Sequence, residues 1–486
     1  MKTQKLFALG LISVLSFSAC SEDDEKDPGN PAAPASKIDF QAHSKTDNYL
    51  KLEPQFSSVK IYPLISSEDQ LSESPKFVYG SMADGAGLVK NANGTFSLIN
   101  NIEADYSIAR ITLDETFKPM KGEYILNANA TSNTAQCSGS LISPEEHGFG
   151  PLYLSGGEWG GASKGVFLTD PFKSANAANS QEMLTAMGQW STENAVVIGK
   201  NAFPGKTVAF IGDDHSDNDV PSGQLGMYVG NMGDLNGGKL YGLKVTDAAI
   251  NYEVDMLEGT SYPMEFVELT EKNIDMLDAE AKTKGVMGFS RLEDVDWRRG
   301  TAAQNREIYF AVTGRDKPGL VGKGTKYGRI YKVVLNDADP TKAGTITCIL
   351  DGDLPSGKAK MFHSPDNILV TENYAYIQED PNGYFDLPEK THFASLYQYN
   401  LNSGELKKVL ECDQDAAEIA GVGTASSAWE ITGMIDISSI VGVRESFILI
   451  TQNHGWENPS FFDPNAIAAP DATEGSQLYV LKGLGI

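Results

Sequence analysis

What most limits the fold of this chain is the shortness of its apolar runs. From Phe77 onward, apolar, β-branched and aromatic residues come in short stretches broken by Gly, Asn and Asp. Ser107–Leu113 (SIARITL), Pro151–Ser155 (PLYLS), Thr207–Ile211 (TVAFI), Lys239–Val245 (KLYGLKV), Glu307–Thr313 (EIYFAVT), Arg329–Leu335 (RIYKVVL), Tyr374–Gln378 (YAYIQ), Ser395–Tyr399 (SLYQY), Ser446–Thr451 (SFILIT) and Gln477–Leu481 (QLYVL) read as strands separated by turn residues. Helical periodicity is found over Ala177–Trp190 and Thr270–Lys284. So many short strands in one long chain point to a closed or radially repeated architecture. A propeller protects its edges by radial repetition, and about 450 residues suit six blades. The expected fold is all-β, a six-bladed β-propeller-like domain with a few inserted helices. The expectation rests on strand count and length, because no fixed-period repeat is visible. A pair of β-sandwiches is the alternative.

The N-terminus reads as an export signal. Lys2 and Lys5 precede an apolar stretch, Leu6–Phe17, too short to span a bilayer, and Ser18-Ala19-Cys20 places small residues before a cysteine. Residues 1–19 are therefore expected to be a signal peptide and Cys20 the lipidated residue. The tether, residues 20–37, includes acidic Ser21–Asp27 and Pro- and Ala-rich Pro28–Ser36, and cannot bury a core. The acidic run after Cys20 resembles the signal that sends bacterial lipoproteins to the outer face of the outer membrane. An outer-membrane lipoprotein, with exposure at the cell surface as one destination, is expected, its contact with the membrane being the lipid alone. Residues 38–486 form the single expected domain.

The formal net charge is −26, with a pI near 4.6. Such acidity disfavours a nucleic-acid partner, which demands a basic footprint. It suits hard cations, which want carboxylate oxygens, and also serves solubility. Beyond Cys20 stand Cys137, Cys348 and Cys412. They cannot all pair within one molecule. Cys348 and Cys412 sit in strand-like apolar context, where a free cysteine is a small hydrophobe.

Polar clusters lie where strands end. They are Cys137-Ser138-Gly139-Ser140, with Glu158 at the end of a following strand; Gly212-Asp213-Asp214, with Gln224 and Tyr228 downstream; and Ser290-Arg291-Leu292-Glu293-Asp294-Val295-Asp296-Trp297. Later come Phe362-His363-Ser364-Pro365-Asp366-Asn367, and Trp429-Glu430-Ile431-Thr432-Gly433 followed by Gln452-Asn453-His454. Taken singly, each reads equally well as a turn or a surface ion pair. Arg291 and Glu293 alternate around Leu292, so on a strand they share a face. Several carboxylates buried together need cations to neutralise them.

In this order the clusters resemble the PhoX-type alkaline phosphatases, from about Asp84 to the C-terminus. The resemblance implies a six-bladed propeller with a central iron and calcium cluster that hydrolyses phosphate monoesters. It assigns Cys137, Glu158, Glu293 and Asp366 to iron, further metal ligation to Asp213, Asp214, Gln224 and Glu430, and the phosphate clamp to Arg291. A guanidinium fork suits that last task. Three departures stand out. The family's Glu-Glu pair is Gly157-Glu158, the proline of its Arg-Pro-Glu-Asp motif is Leu292, and a glutamate is replaced by Gln224, a neutral and weaker ligand. The leading expectation is a metal-dependent phosphomonoesterase that scavenges phosphate in the cell envelope as a monomer acting on phosphorylated small molecules. The alternatives are a hydrolase of another ester class, and a catalytically altered propeller serving as a surface-binding lipoprotein. Cys137 is expected to be a metal-ligand thiolate whose sulfur converges with Glu158, Glu293 and Asp366.

Overall fold

Alternation places one side of each strand in a core, and all ten segments singled out above fold as strands. Ser107–Leu113 and Lys239–Val245 keep those bounds, while Ser446–Glu457 and Glu474–Lys482 run longer. The computed structural model describes residues 38–381, 392–466 and 472–486. The expected signal peptide, Cys20 and the expected tether lie outside the described residues, which fall within one compact unit. No helix among the described residues is long and apolar enough to cross a membrane.

Six innermost strands organise the molecule: β1 (Ala83–Lys90), β2 (Thr134–Ile142), β3 (Thr192–Val197), β4 (Leu292–Trp297), β5 (Pro365–Val370) and β6 (Glu430–Asp436). Each packs on the next, and β6 packs on β1, so they close a ring. From β1, β2, β5 and β6, antiparallel sheets of four or five strands extend outward. Apolar clusters fill the wedges between successive sheets. Leu98, Ile111, Ile450 and Val480 fill one, and Ile330, Leu350, Ile368 and Ile377 another. Strand Lys60–Ser66, near the start of the described residues, pairs with the last strand, Glu474–Lys482, which joins early and late segments of the chain in one sheet.

The result is all-β and propeller-like, and it departs from six separate sheets. β3 and β4 are the opposite edges of a single nine-stranded sheet. Ser261–Leu269 extends past its own neighbour and pairs with Gly344–Asp351, from Ser261 opposite Thr347 to Met264 opposite Gly344. That pairing satisfies two outer edges that would otherwise present open backbone groups. The helix expected over Thr270–Lys284 is present as Ile274–Lys284, capped by Asn273 and ended by Gly285 in the left-handed region. The one expected over Ala177–Trp190 is absent. Met183 lies on a two-residue edge strand against Phe167, and Leu184, Met187 and Trp190 reach the core from irregular backbone. Their spacing mimics a helical stripe because a strand followed by a tight turn buries the same set.

Candidate metal centre

Every inner strand breaks register near its start. The pairing shifts between Ala83 and Ala86, twice between Thr134 and Gly139, and between Thr192 and Ala195, Leu292 and Val295, Pro365 and Ile368, and Thr432 and Ile435. Such bulges re-aim side chains and free backbone groups from the ladder. Met82, Arg291 and Ser364 hold positive φ of 56°, 64° and 49°, each two residues before a carboxylate, Asp84, Glu293 and Asp366. Side chains take up the freed backbone. Asn100 Nδ2 donates to Asp84 O at 2.7 Å, Asn101 Nδ2 to Cys137 O at 2.5 Å, and Thr432 Oγ1 to Ala83 O at 3.0 Å. Asp294 Oδ2 accepts from the Ile368 amide at 3.0 Å, and Glu193 Oε1 from the Ser138 amide at 3.1 Å.

The bulges gather acids into two adjoining groups. In the first, one donor atom from each of Glu103, Cys137 and Glu158 lies within 4.8 Å of the others, a spacing that could hold a metal ion. Cys137 Sγ donates to Glu158 Oε2 at 3.1 Å. Glu103 is fixed by Trp159 Nε1 at 2.6 Å and Gln452 Nε2 at 2.9 Å. In the second, Arg291 donates to both carboxylate oxygens of Asp214 and pairs with Glu293 at 2.9 Å. Burial first, then the charges of Asp214, Asp366 and Glu158, pushes Glu293 well up, against the pull of Arg291. Burial likewise raises Glu158, with Asp214 and Glu103 adding to it, so Glu158 joins the two groups. Asp366 and Glu430 rise by burial and by the charge of Asp380. Burial and the neighbouring Glu103, Glu193 and Glu158 push the Cys137 thiol up.

The family model for alkaline phosphatase PhoX matches residues 166–439. The chain belongs to the PhoX family. Among solved structures it is similar to "Pseudomonas fluorescens PhoX in complex with vanadate, a transition state analogue". That likeness has a TM-score of 0.62 and 13% identity and covers 92% of this chain and 97% of that one. The Neurospora crassa Pan2 WD40 domain is more distant, with a TM-score of 0.36, 8% identity, and 88% and 96% coverage. No curated protein sequence matches.

Against the PhoX reading of the sequence, the fold brings Cys137, Glu158, Asp214, Arg291, Glu293, Asp366 and Glu430 together. Asp213 and Gln224 are held apart. Asp213 ends the strand Lys206–Asp213, and its Oδ1 accepts from the Ser191 amide at 3.0 Å, while Asp214, just past the strand, meets Arg291. Gln224 Nε2 donates to Asp278 of the Ile274–Lys284 helix at 3.2 Å, and its side-chain oxygen Oε1 is buried without a hydrogen bond. Sequence reading missed Asp84, Glu103 and Glu193. Glu193 follows Thr192 at a strand start, as Glu293 follows Leu292, and that pattern was available. Glu103 lies in a turn that nothing local distinguishes. Of the carboxylates expected around the Cys137 sulfur, Glu158 is in contact with it, and Glu103, which was not expected, completes the group of metal spacing.

The donor set fits metal. A thiol and carboxylates at this spacing suit a transition metal, and the oxygen-rich second group suits a hard cation. Protonated, these acids would spend their hydrogen bonds on one another; ionised, they would repel without a cation.

Proposed function

We propose that this PhoX-family chain is a metal-dependent phosphomonoesterase in which Arg291 clamps the phosphate beside an iron and calcium centre. The single observation that carries the reading is the junction of the Glu103–Cys137–Glu158 group with the Arg291–Asp214–Glu293 group. Cys137, Glu103 and Glu158 would hold iron; Glu293, Asp366, Glu430 and Asp214 supply oxygens for iron or calcium. Metals bound there supply Lewis acidity toward the phosphoryl oxygens and an activated water.

The chain's own residues do the rest. Arg291 is the reachable cation, its side chain 31% exposed while that of Asp214 is 4% exposed. Burial opposes its charge, but Asp214 and Glu293 outweigh burial and keep the guanidinium fully protonated. Its planar fork can leave Asp214 for phosphate oxygens without any proton moving. Trp159 and Gln452 fix Glu103, and Asn101 fixes the Cys137 carbonyl, so the thiol-bearing group is held before substrate arrives.

The nine-stranded sheet is read as two blades fused at their outer edges, which makes the propeller six-bladed. The ring of six inner strands supports this. A signal peptide and a lipid on Cys20 would place the enzyme at the outer membrane, where it would scavenge phosphate.

Hydrolysis of p-nitrophenyl phosphate by the purified chain, with and without chelator and alongside metal analysis, tests the function. The expected result is turnover that chelation abolishes, with iron and calcium in the active preparation. Full metal occupancy without turnover would favour the surface-binding alternative. Calcium alone, with activity on another ester, would favour a different hydrolase.

A further inference from the structure

We infer that Glu253, outside the acid cluster, is a positioning residue that sets the aim of Arg291; this rests on the reading of Arg291 as the phosphate clamp. Glu253 lies in the turn Glu253–Asp255 and is completely buried. Its Oε1 accepts from two backbone amides, Ser290 at 2.9 Å and Thr325 at 3.0 Å. Its own carbonyl accepts from Arg329 Nη1 at 2.7 Å, and Arg329 is anchored in turn on Asp351 at 2.6 Å. The turn is thus tied to the sheet that carries β4.

What it holds is a strained residue. Arg291 has φ of 64°, a left-handed conformation that a long side chain adopts only where its surroundings impose it. Backbone bonds fix the far side, since the Thr313 amide donates to Arg291 O and the Gly314 amide to Ser290 O, both at 3.0 Å. Glu253 fixes the near side. The Thr325 segment is pressed against it, for a Cβ on Gly324 would stand 2.0 Å from Ser290 Oγ. Without the carboxyl, two buried amides lose their acceptor, and φ of Arg291 can relax toward the ordinary region. The guanidinium then moves off the line set by Asp214 and Glu293. Glu103 and Cys137 are anchored by Trp159, Gln452 and Asn101, away from this turn, so metal binding at the thiol-bearing group should not change.

The test uses the metal-loaded full chain and reads KM for p-nitrophenyl phosphate, vanadate inhibition and bound metal. Glu253→Ala is expected to raise KM and the vanadate inhibition constant about tenfold or more, as misplaced binding groups do, with the metal held by the thiol-bearing group unchanged. Glu253→Gln retains a carbonyl acceptor and is expected to stay close to wild type. If Glu253→Ala fails to fold, Glu253→Asp, too short to reach both amides, is read in its place and should raise both constants. Arg291→Lys is the comparator. If it raises both constants while Glu253→Ala or Glu253→Asp leaves them at wild-type values, this inference falls alone. If Glu253→Gln is as impaired as Glu253→Ala, acceptor geometry is not what matters and the inference also falls. If Arg291→Lys changes neither constant, the clamp reading falls and takes this one with it.

Discussion

The two ends of each inner strand obey opposite rules. The first residues carry the acids and the thiol: Asp84, Cys137, Glu193, Glu293 and Asp366 lie in the bulges, and Glu430 just before one. The later residues of the same strands return to regular pairing, and Val196, Leu369 and Ile435 line a cavity of about 850 Å³ beside Asp296, whose charge Arg299 neutralises. A regular ladder satisfies its own backbone, so its side chains are free to be apolar. A bulged ladder must recruit Asn100, Asn101, Thr432 and Asp294 to satisfy its backbone, and in exchange it can turn consecutive carboxylates toward one point. The unneutralised acids of the candidate centre are thus gathered where the register fails, while Asp296 at the regular end is paired with Arg299.

β5 holds both ends within one strand, which makes the contrast easy to break. Asp366→Asn is expected to lower phosphatase turnover by at least roughly 10²–10³-fold, as loss of a group that stabilises transition-state charge does. It should also reduce bound metal and leave the fold intact. Three residues on, Leu369→Ala should spare kcat and bound metal and cost about 2–5 kcal/mol of stability through the cavity it leaves. Leu369 is 6% exposed among Leu396, Leu410 and Leu449. A Leu369→Ala enzyme with lost turnover at normal metal content would show that the division is not along the strand.

Acidity separates the ends next. Burial pushes Asp294 up to about 8, and it holds Glu158, Glu193, Glu293, Asp366 and Glu430 well above the carboxylate range. In the folded metal-free chain these groups keep protons that the unfolded chain has already released. Stability from them is present below about pH 4 and is lost as pH rises, for Asp294 between about pH 4 and 8. Chelated protein should therefore be several kcal/mol less stable at pH 8 than at pH 5. Bound cations favour the ionised acids and should flatten or reverse that slope. Urea midpoints of chelated and metal-loaded protein at the two pH values decide it, and parallel slopes would contradict a cation role for the cluster.

The same division explains what could be read in advance. Strand runs and the Ile274–Lys284 helix were legible because burial periodicity is local. Arg291, Glu293, Asp366 and Cys137 were legible because they lie in compact motifs near strand starts, and Asp214 because it follows a strand end in one. Glu103 was not, because its turn acquires meaning only when Trp159 and Gln452 arrive from distant strands. The fusion of β3's and β4's sheets was equally hidden, since it depends on how far Ser261–Leu269 overshoots its neighbour. Asp213 was misgrouped with Asp214 because a motif does not say which of two consecutive residues faces inward.

The cysteines give the smallest and most selective expected effect. All three are buried and unpaired in disulfides. Cys348 lies opposite Tyr331 in a ladder, with its sulfur toward the Leu350 carbonyl at 3.4 Å, and Cys412 packs among Leu396, Leu410 and Tyr479. Burial pushes both thiols up, as it does that of Cys137; what sets Cys348 and Cys412 apart is that, among the described residues, neither belongs to a group of donors at metal spacing. Removing a small apolar sulfur from such a site loses about 1 kcal/mol of transfer energy. Cys348→Ala and Cys412→Ala should therefore each lower stability by about that much and leave bound metal and kcat unchanged. Cys137→Ala removes the same atoms from the bulged end of β2, beside Glu103 and Glu158. It should cost similarly little in the chelated protein, yet deplete iron in the loaded one. Metal analysis of the three variants side by side decides whether position or burial defines the ligand. Equal iron in all three would remove Cys137 from the centre.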